Sequence, residues 1–271
     1  MLAQRILSAA IGVPIILVAV WIGDPSHYPV YTTLVTLAAL LAALEFYGLA
    51  GRAGYSPLRW LGALLALLFV ANGYMAGHFG HDFATPLLAA TAALPFFPLL
   101  LRPNLANALV DWALTSAGAL YTGGLLSYFV LLRQTEQGRE WVLIALLVTF
   151  AADTAAFFLG RSFGQAKLAP HISPGKTIEG AVGGLVAGIL ASIVLVVLLG
   201  LPASLISAAI LGLAIALAAL VGDLAESLLK RSVQAKDAGH LIPGHGGLLD
   251  RLDSLVFAII VVYYYAVLQP F

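Results

Sequence analysis

Apolar residues in this chain come in runs of about 20, the length a helix needs to cross a ~30 Å hydrocarbon core. The pattern predicts nine membrane-spanning helices, over 6–23, 28–50, 58–77, 83–101, 110–132, 141–160, 178–200, 204–229 and 252–268. Most interruptions are short and carry turn-forming or polar residues: Gly23-Asp24-Pro25, Gly51-Arg52, His78 to Asp82, Arg102-Pro103-Asn104 and Gly200-Leu201-Pro202. Two are longer and more polar, 161–177 and 230–251. Pro86, Pro95 and Pro98 should bend or end the fourth helix. The fold class expected is all-α: a polytopic integral membrane protein of about nine transmembrane helices with its site at the cytoplasmic membrane border. Its parts would be N-terminal membrane helices over 1–140 and a C-terminal region over 141–271 that holds both polar loops.

Composition agrees. Of 271 residues 61% are hydrophobic and 10% charged, and mean hydropathy is +1.00. A soluble domain carries about 25% charged residues. Thirteen Lys and Arg balance thirteen Asp and Glu, which leaves no basic footprint for nucleic acid. The absence of cysteine excludes disulfides, thiolate metal sites and a Cys nucleophile. Met1 to Arg5 leads into an apolar run too long for a signal-peptide core, so a retained first span is expected.

Charge placement orients the helices. With a cytoplasmic N-terminus, Arg5, Arg52, Arg59, Arg102, Arg161, Lys167, Lys176, Lys230, Arg231, Lys236 and Arg251 all fall inside, leaving only Arg133 and Arg139 outside. Both long loops then face the cytoplasm, and the C-terminus lies outside. In a bacterial cell this would be the inner membrane.

Charge also gathers in the second half. The eighth helix ends with Asp223, Glu226 and Lys230, whose spacing puts them on one face. The ninth begins with Asp250, Arg251 and Asp253. Facing carboxylates that cannot neutralise each other suggest a shared divalent cation, and hard oxygen ligands suit Mg2+, with Asp223 and Asp250 as ligands. The plainer alternative is ordinary charge at helix ends, with Asp250 as a cap. Between these helices, His245, Gly246 and Gly247 form a loop whose N–H groups could cradle an anion, flanked by Lys230, Arg231, Lys236 and Arg251. It could equally be a turn, with His245 as a packed loop histidine.

The other loop, Ser173-Pro174-Gly175-Lys176-Thr177, runs into the seventh helix and could hold a phosphate at that helix start, or simply cap it. It is not a Walker A loop, because position 170 is Pro. Gly180, Gly184 and Gly188 make a small-residue stripe for close helix packing, at a subunit interface in a homodimer. Asp153 within the sixth helix is a candidate functional carboxylate, and Glu45 in the second is an even choice between function and structure.

The segment from Ser227 to Asp253 resembles the signature of phosphatidate cytidylyltransferases, S-x-x-K-R-x4-K-D-x-G-x2-[LIF]-[PG]-x-H-G-G-x-x-D-R-x-D, at every fixed position. The stretch Asp153 to Gly180, including Glu179, is similar to the family as well, although Gly175 stands where many members have Lys. The resemblance implies CTP + phosphatidate → CDP-diacylglycerol + pyrophosphate, with Mg2+ and room for a second cation. It implies catalytic roles for Asp223, Asp250, Lys230, Lys236, Asp237 and Asp253. Substrate contacts would fall to Asp153, Ser173, Lys176, Thr177, Glu179, Arg231, His245, Gly246, Gly247 and Arg251. Rival readings are a related membrane enzyme acting on another lipid phosphate or alcohol, such as a CDP-archaeol synthase or polyprenol kinase, and a transporter. No inverted repeat supports the transporter, and the motif of CDP-alcohol phosphotransferases is absent.

Overall fold

The computed structural model describes residues 12, 14–22, 29–239, 241 and 246–268. Its long helices are α1 (Val30–Arg52), α2 (Arg59–Phe79), a composite span Ala108–Arg133, α7 (Gly138–Phe163), α8 (Ile178–Leu198), α9 (Leu205–Ser232) and α10 (Leu249–Leu268). Seven helices among the described residues are therefore long and apolar enough to cross a membrane. Of the first predicted span, residues 14–22 are helical and most of the remainder lies outside the described residues.

The fourth predicted span is interrupted, as its prolines lead one to expect. It is broken into α3 (Ala84–Ala93) and α4 (Phe96–Leu100). Pro95 supplies no N–H to the helix ladder and clashes with the preceding turn, so the helix stops there. From Ala84 to Leu100 the rise is about 25 Å even if unbroken, short of a ~30 Å core.

The composite span is α5 (Ala108–Ala119), a π-turn at Leu120–Gly124 and α6 (Leu125–Arg133). The π-turn sits where Gly123 presses on the backbone of Ala66, so a side chain there would collide.

The chain packs as two compact units. The first comprises the residues up to Gln134 together with Val233–Arg251; the second comprises Thr135–Ser232 and the residues from Leu252 on. In the first, Ala39, Ala42, Ala43, Ala63 and Ala66 let α1 and α2 approach closely around Phe69, Val70 and Leu126. Tyr47 lies against Gly62 and Gly118 and donates its hydroxyl to the Thr115 carbonyl at 2.8 Å. Asp111, 3% exposed, pairs with Arg102 at 2.7 Å and accepts from Ser56 N at 2.7 Å.

The second unit packs α7, α8 and α9 around Trp141, Ile144, Val148, Leu211, Ile215 and Ile259. Here the glycine stripe serves close helix packing, as expected, but within the chain. Gly180 and Gly184 lie against the α7 backbone at Ala156 and Ala152, and Gly188 against Gly212 and Ala216 of α9. The stripe is thus a seam inside the chain, and the homodimer inferred from it loses that argument. The opposite side of α8 exposes Val182, Val186, Leu190 and Val194, the apolar face a lipid-bathed helix presents.

Part of the loop expected over 161–177 is a short antiparallel hairpin, β1 (Lys167–Ala169) and β2 (Ser173–Thr177), which pairs Lys167 with Thr177 and Ala169 with Ser173. It feeds directly into α8.

Candidate active site

In the second unit the polar residues of four elements converge. Lys176, next to last in β2, reaches Asp223 of α9, with Nζ 2.6 Å from Oδ2. Ser227, one turn further along α9, donates to Asp223 Oδ1 at 3.3 Å. Asp153 of α7 has Asp223 and Lys176 as charged neighbours and Ser254 of α10 beside it. Asp253 of α10 has Asp223, Asp153 and Lys230 as its charged neighbours. Lys230 pairs with Glu226, which is fully buried one turn before it.

Backbone geometry makes this convergence possible. Gly222, immediately before Asp223, lies against the Asp253 carbonyl and the Phe257 ring, where a Cβ would collide. The close approach of α9 and α10 therefore puts Asp223 beside Asp253. Three carboxylates and two lysines share one neighbourhood within otherwise apolar helices. Such a group suits a polyanion together with a hard cation. Among the described residues no three His, Asp or Glu side chains are gathered as a ready ligand set.

Several predicted residues also have partners or places within the protein. Thr177 caps α8 by accepting from Gly180 N at 3.1 Å. Glu179 accepts from the N–H groups of Gln165 and Ala166, both at 3.1 Å, and so ties the hairpin to the helix start. Arg231 donates to the Ile172 carbonyl near the hairpin tip at 3.3 Å. Ser173 is half-buried in β2.

The first unit holds the rest of the signature. Asp250 is buried and accepts from Ala238 N at 3.0 and 3.2 Å and from Gly247 N at 2.8 Å. Its carboxylate therefore organises the loop that precedes it, a wider version of the cap considered from sequence. Gly246 has φ +82°, a left-handed conformation that glycine adopts freely, and a Cβ there would meet Asp250. Lys236, Asp237 and Arg251 are exposed. His245 lies outside the described residues. Of the expected anion cradle, the Gly247 N–H goes to Asp250, and the next two N–H groups, of Leu248 and Leu249, go to Glu45.

Two contributors escaped the sequence reading. Ser254 carries no motif of its own, and only the packing of α7 on α10 reveals its role. Gly222 reads as one small residue among many. Glu45 was noticed, and its spacing of seven from Arg52 was the available signal.

The sequence model of the cytidylyltransferase family matches residues 3–269. The chain is 32% identical to a phosphatidate cytidylyltransferase of Synechocystis sp., over 98% of this chain and 96% of that protein. It is 35% identical to phosphatidate cytidylyltransferase 5, chloroplastic, of Arabidopsis thaliana, over 84% of this chain and 63% of the relative. A phosphatidate cytidylyltransferase of Bacillus subtilis is 36% identical over 54% of this chain and 55% of its own length. With the match running almost from end to end, and covering both the hairpin–helix segment and the Ser227–Asp253 signature, this chain belongs to the cytidylyltransferase family.

Proposed function

We propose that the chain transfers the cytidylyl group of CTP to phosphatidate, forming CDP-diacylglycerol and pyrophosphate in a Mg2+-dependent reaction. The observation that carries this reading is the cluster of Asp153, Asp223 and Asp253 with Lys176 and Lys230 among apolar helices. It joins lipid-accessible surface to groups able to handle a polyphosphate.

A phosphatidate oxygen attacks the α-phosphorus of CTP, a new O–P bond forms, and the bond to the β-phosphate oxygen breaks with its electron pair leaving on pyrophosphate. The nucleophile is already an anion, so no side-chain nucleophile or strong base is required. From the signature, Asp223 and Asp250 are the residues we assign to the cation, with Asp237 and Asp253 in support and Asp153 toward the substrate. With Lys230 paired to Glu226 and Lys176 to Asp223, the carboxylates of Asp153 and Asp253 have no lysine of their own among the described residues, and a hard cation held by one or two carboxylates plus substrate phosphates fits that excess of negative charge. When bound, Mg2+ would neutralise charge on the phosphates and polarise the reacting phosphorus.

Lys230, Arg231 and Lys236 would hold the triphosphate, and Lys176 with Ser173 the lipid phosphate. Positioned cations stabilise charge that builds on the phosphoryl oxygens. We further propose that Ala84–Leu100 crosses a locally thinned bilayer, so that the N-terminus and both polar segments face the cytoplasm and the C-terminus faces outward.

The test is purified protein in detergent micelles with α-labelled CTP, phosphatidate and Mg2+. Label should enter the lipid phase, and EDTA should stop it. Transfer that persists undiminished in EDTA removes the cation from the proposal, and no transfer at all removes the reaction.

A further inference from the structure

Helix α10 opens after Gly246-Gly247-Leu248, a stretch with no side chain able to accept from the first N–H groups of the helix. The acceptor comes from α1. Glu45 Oε1 accepts from Leu248 N at 3.1 Å and Oε2 from Leu249 N at 2.8 Å, across 203 and 204 residues of chain. Two turns further along the same face, Arg52 Nη1 donates to the Asp237 carbonyl at 3.2 Å. Helix α1 thus holds Asp237 and the Leu248–Leu249 pair, while Asp250 ties Ala238 to Gly247. Two glycines of the signature make room for this grip. A Cβ at Gly239 would meet Glu45 Oε1, and one at Gly247 would meet Oε2.

From this geometry we infer that Glu45 is a positioning residue for the transfer reaction: it holds the start of α10 and so fixes where Asp250 and Arg251 stand. The inference rests on reading Ser227–Asp253 as the catalytic segment. Only a carboxylate offers two acceptors to two adjacent N–H groups; Gln would turn a donor toward one of them. Asp is one methylene too short to reach from the same backbone. A misplacement of about 1 Å, even from a residue remote from the chemistry, can lower a rate by about 10²-fold.

The experiment compares full-length wild-type, Glu45→Ala, Glu45→Gln and Glu45→Asp proteins in detergent. Hydrogen exchange is followed in peptides spanning 246–252, and kcat and KM are measured for CTP and phosphatidate. Glu45→Gln, which keeps one acceptor, serves where the Ala protein does not fold. Exchange at 248–249 should quicken and kcat should fall about 30- to 100-fold, with KM for phosphatidate little changed and no rescue by Asp. Gly239→Ala should show the same defect in the wild type and add little to Glu45→Ala, because its clash is with a carboxylate no longer there.

A role confined to stability would lower the melting temperature, leave kcat per folded molecule at the wild-type level and make Gly239→Ala additive. Either that outcome or unchanged exchange at 246–252 overturns the proposal. Wild-type protein that transfers nothing from CTP overturns the reaction instead, and the exchange measurement then decides by itself whether Glu45 holds the start of α10.

Discussion

Asp223 is held by Lys176 at 2.6 Å and stands beside two further aspartates. Replacing it with Asn removes the charge and keeps the shape, so the fold should survive and kcat should fall at least about 10²-fold; the labelled-CTP assay checks this. Lys176→Met should raise KM for phosphatidate more than KM for CTP, because Asp223 then lacks its partner and the lipid phosphate lacks a cation. Steady-state kinetics with each substrate varied in turn separates these effects. Asp223, Asp253 and Lys176 were legible in the sequence because charge inside or beside an apolar run is costly and needs a reason. Glu179 and Thr177 looked similar, yet their oxygens accept from backbone N–H groups of a hairpin and a helix start. No sequence pattern states in advance which backbone donors a fold will leave for side chains to satisfy.

At the scale of elements, the α9–α10 approach depends on Gly222. Gly222→Ala puts a methyl against the Asp253 carbonyl, which overpacking makes about 1–3 kcal/mol less stable. The variant should melt earlier and turn over more slowly, since the same shift parts Asp223 from Asp253. Thermal denaturation and kcat, measured on one preparation, test both. The long helices were readable from hydropathy because the apolar runs match a bilayer, and Pro95 announced the break between α3 and α4. The hairpin was not. Lys167–Ala169 and Ser173–Thr177 are too short for a period-2 pattern, and Pro174 and Gly175 argue against a strand. Their pairing comes from the anchor at Glu179 and the Ile178 N–H to Ala166 carbonyl bond at 2.9 Å.

For the molecule as a whole, the first unit is closed by an ion pair that hydropathy cannot reveal. Arg102→Ala leaves the buried Asp111 carboxylate short of its cation, a loss of about 3 kcal/mol. The melting temperature should drop while KM for both substrates stays near wild type. A reporter fused after Phe271 should be active only in its non-cytoplasmic form; cytoplasmic activity would require a different helix count.

The discontinuous build of the first unit has a consequence for biosynthesis. Glu45 leaves the ribosome some two hundred residues before the amides it accepts from, so the early helices enter the membrane without the piece that completes their fold. Residues 1–134 made alone should be short-lived in cells, and co-expression of the remaining fragment should lengthen their half-life, as pulse–chase labelling would show.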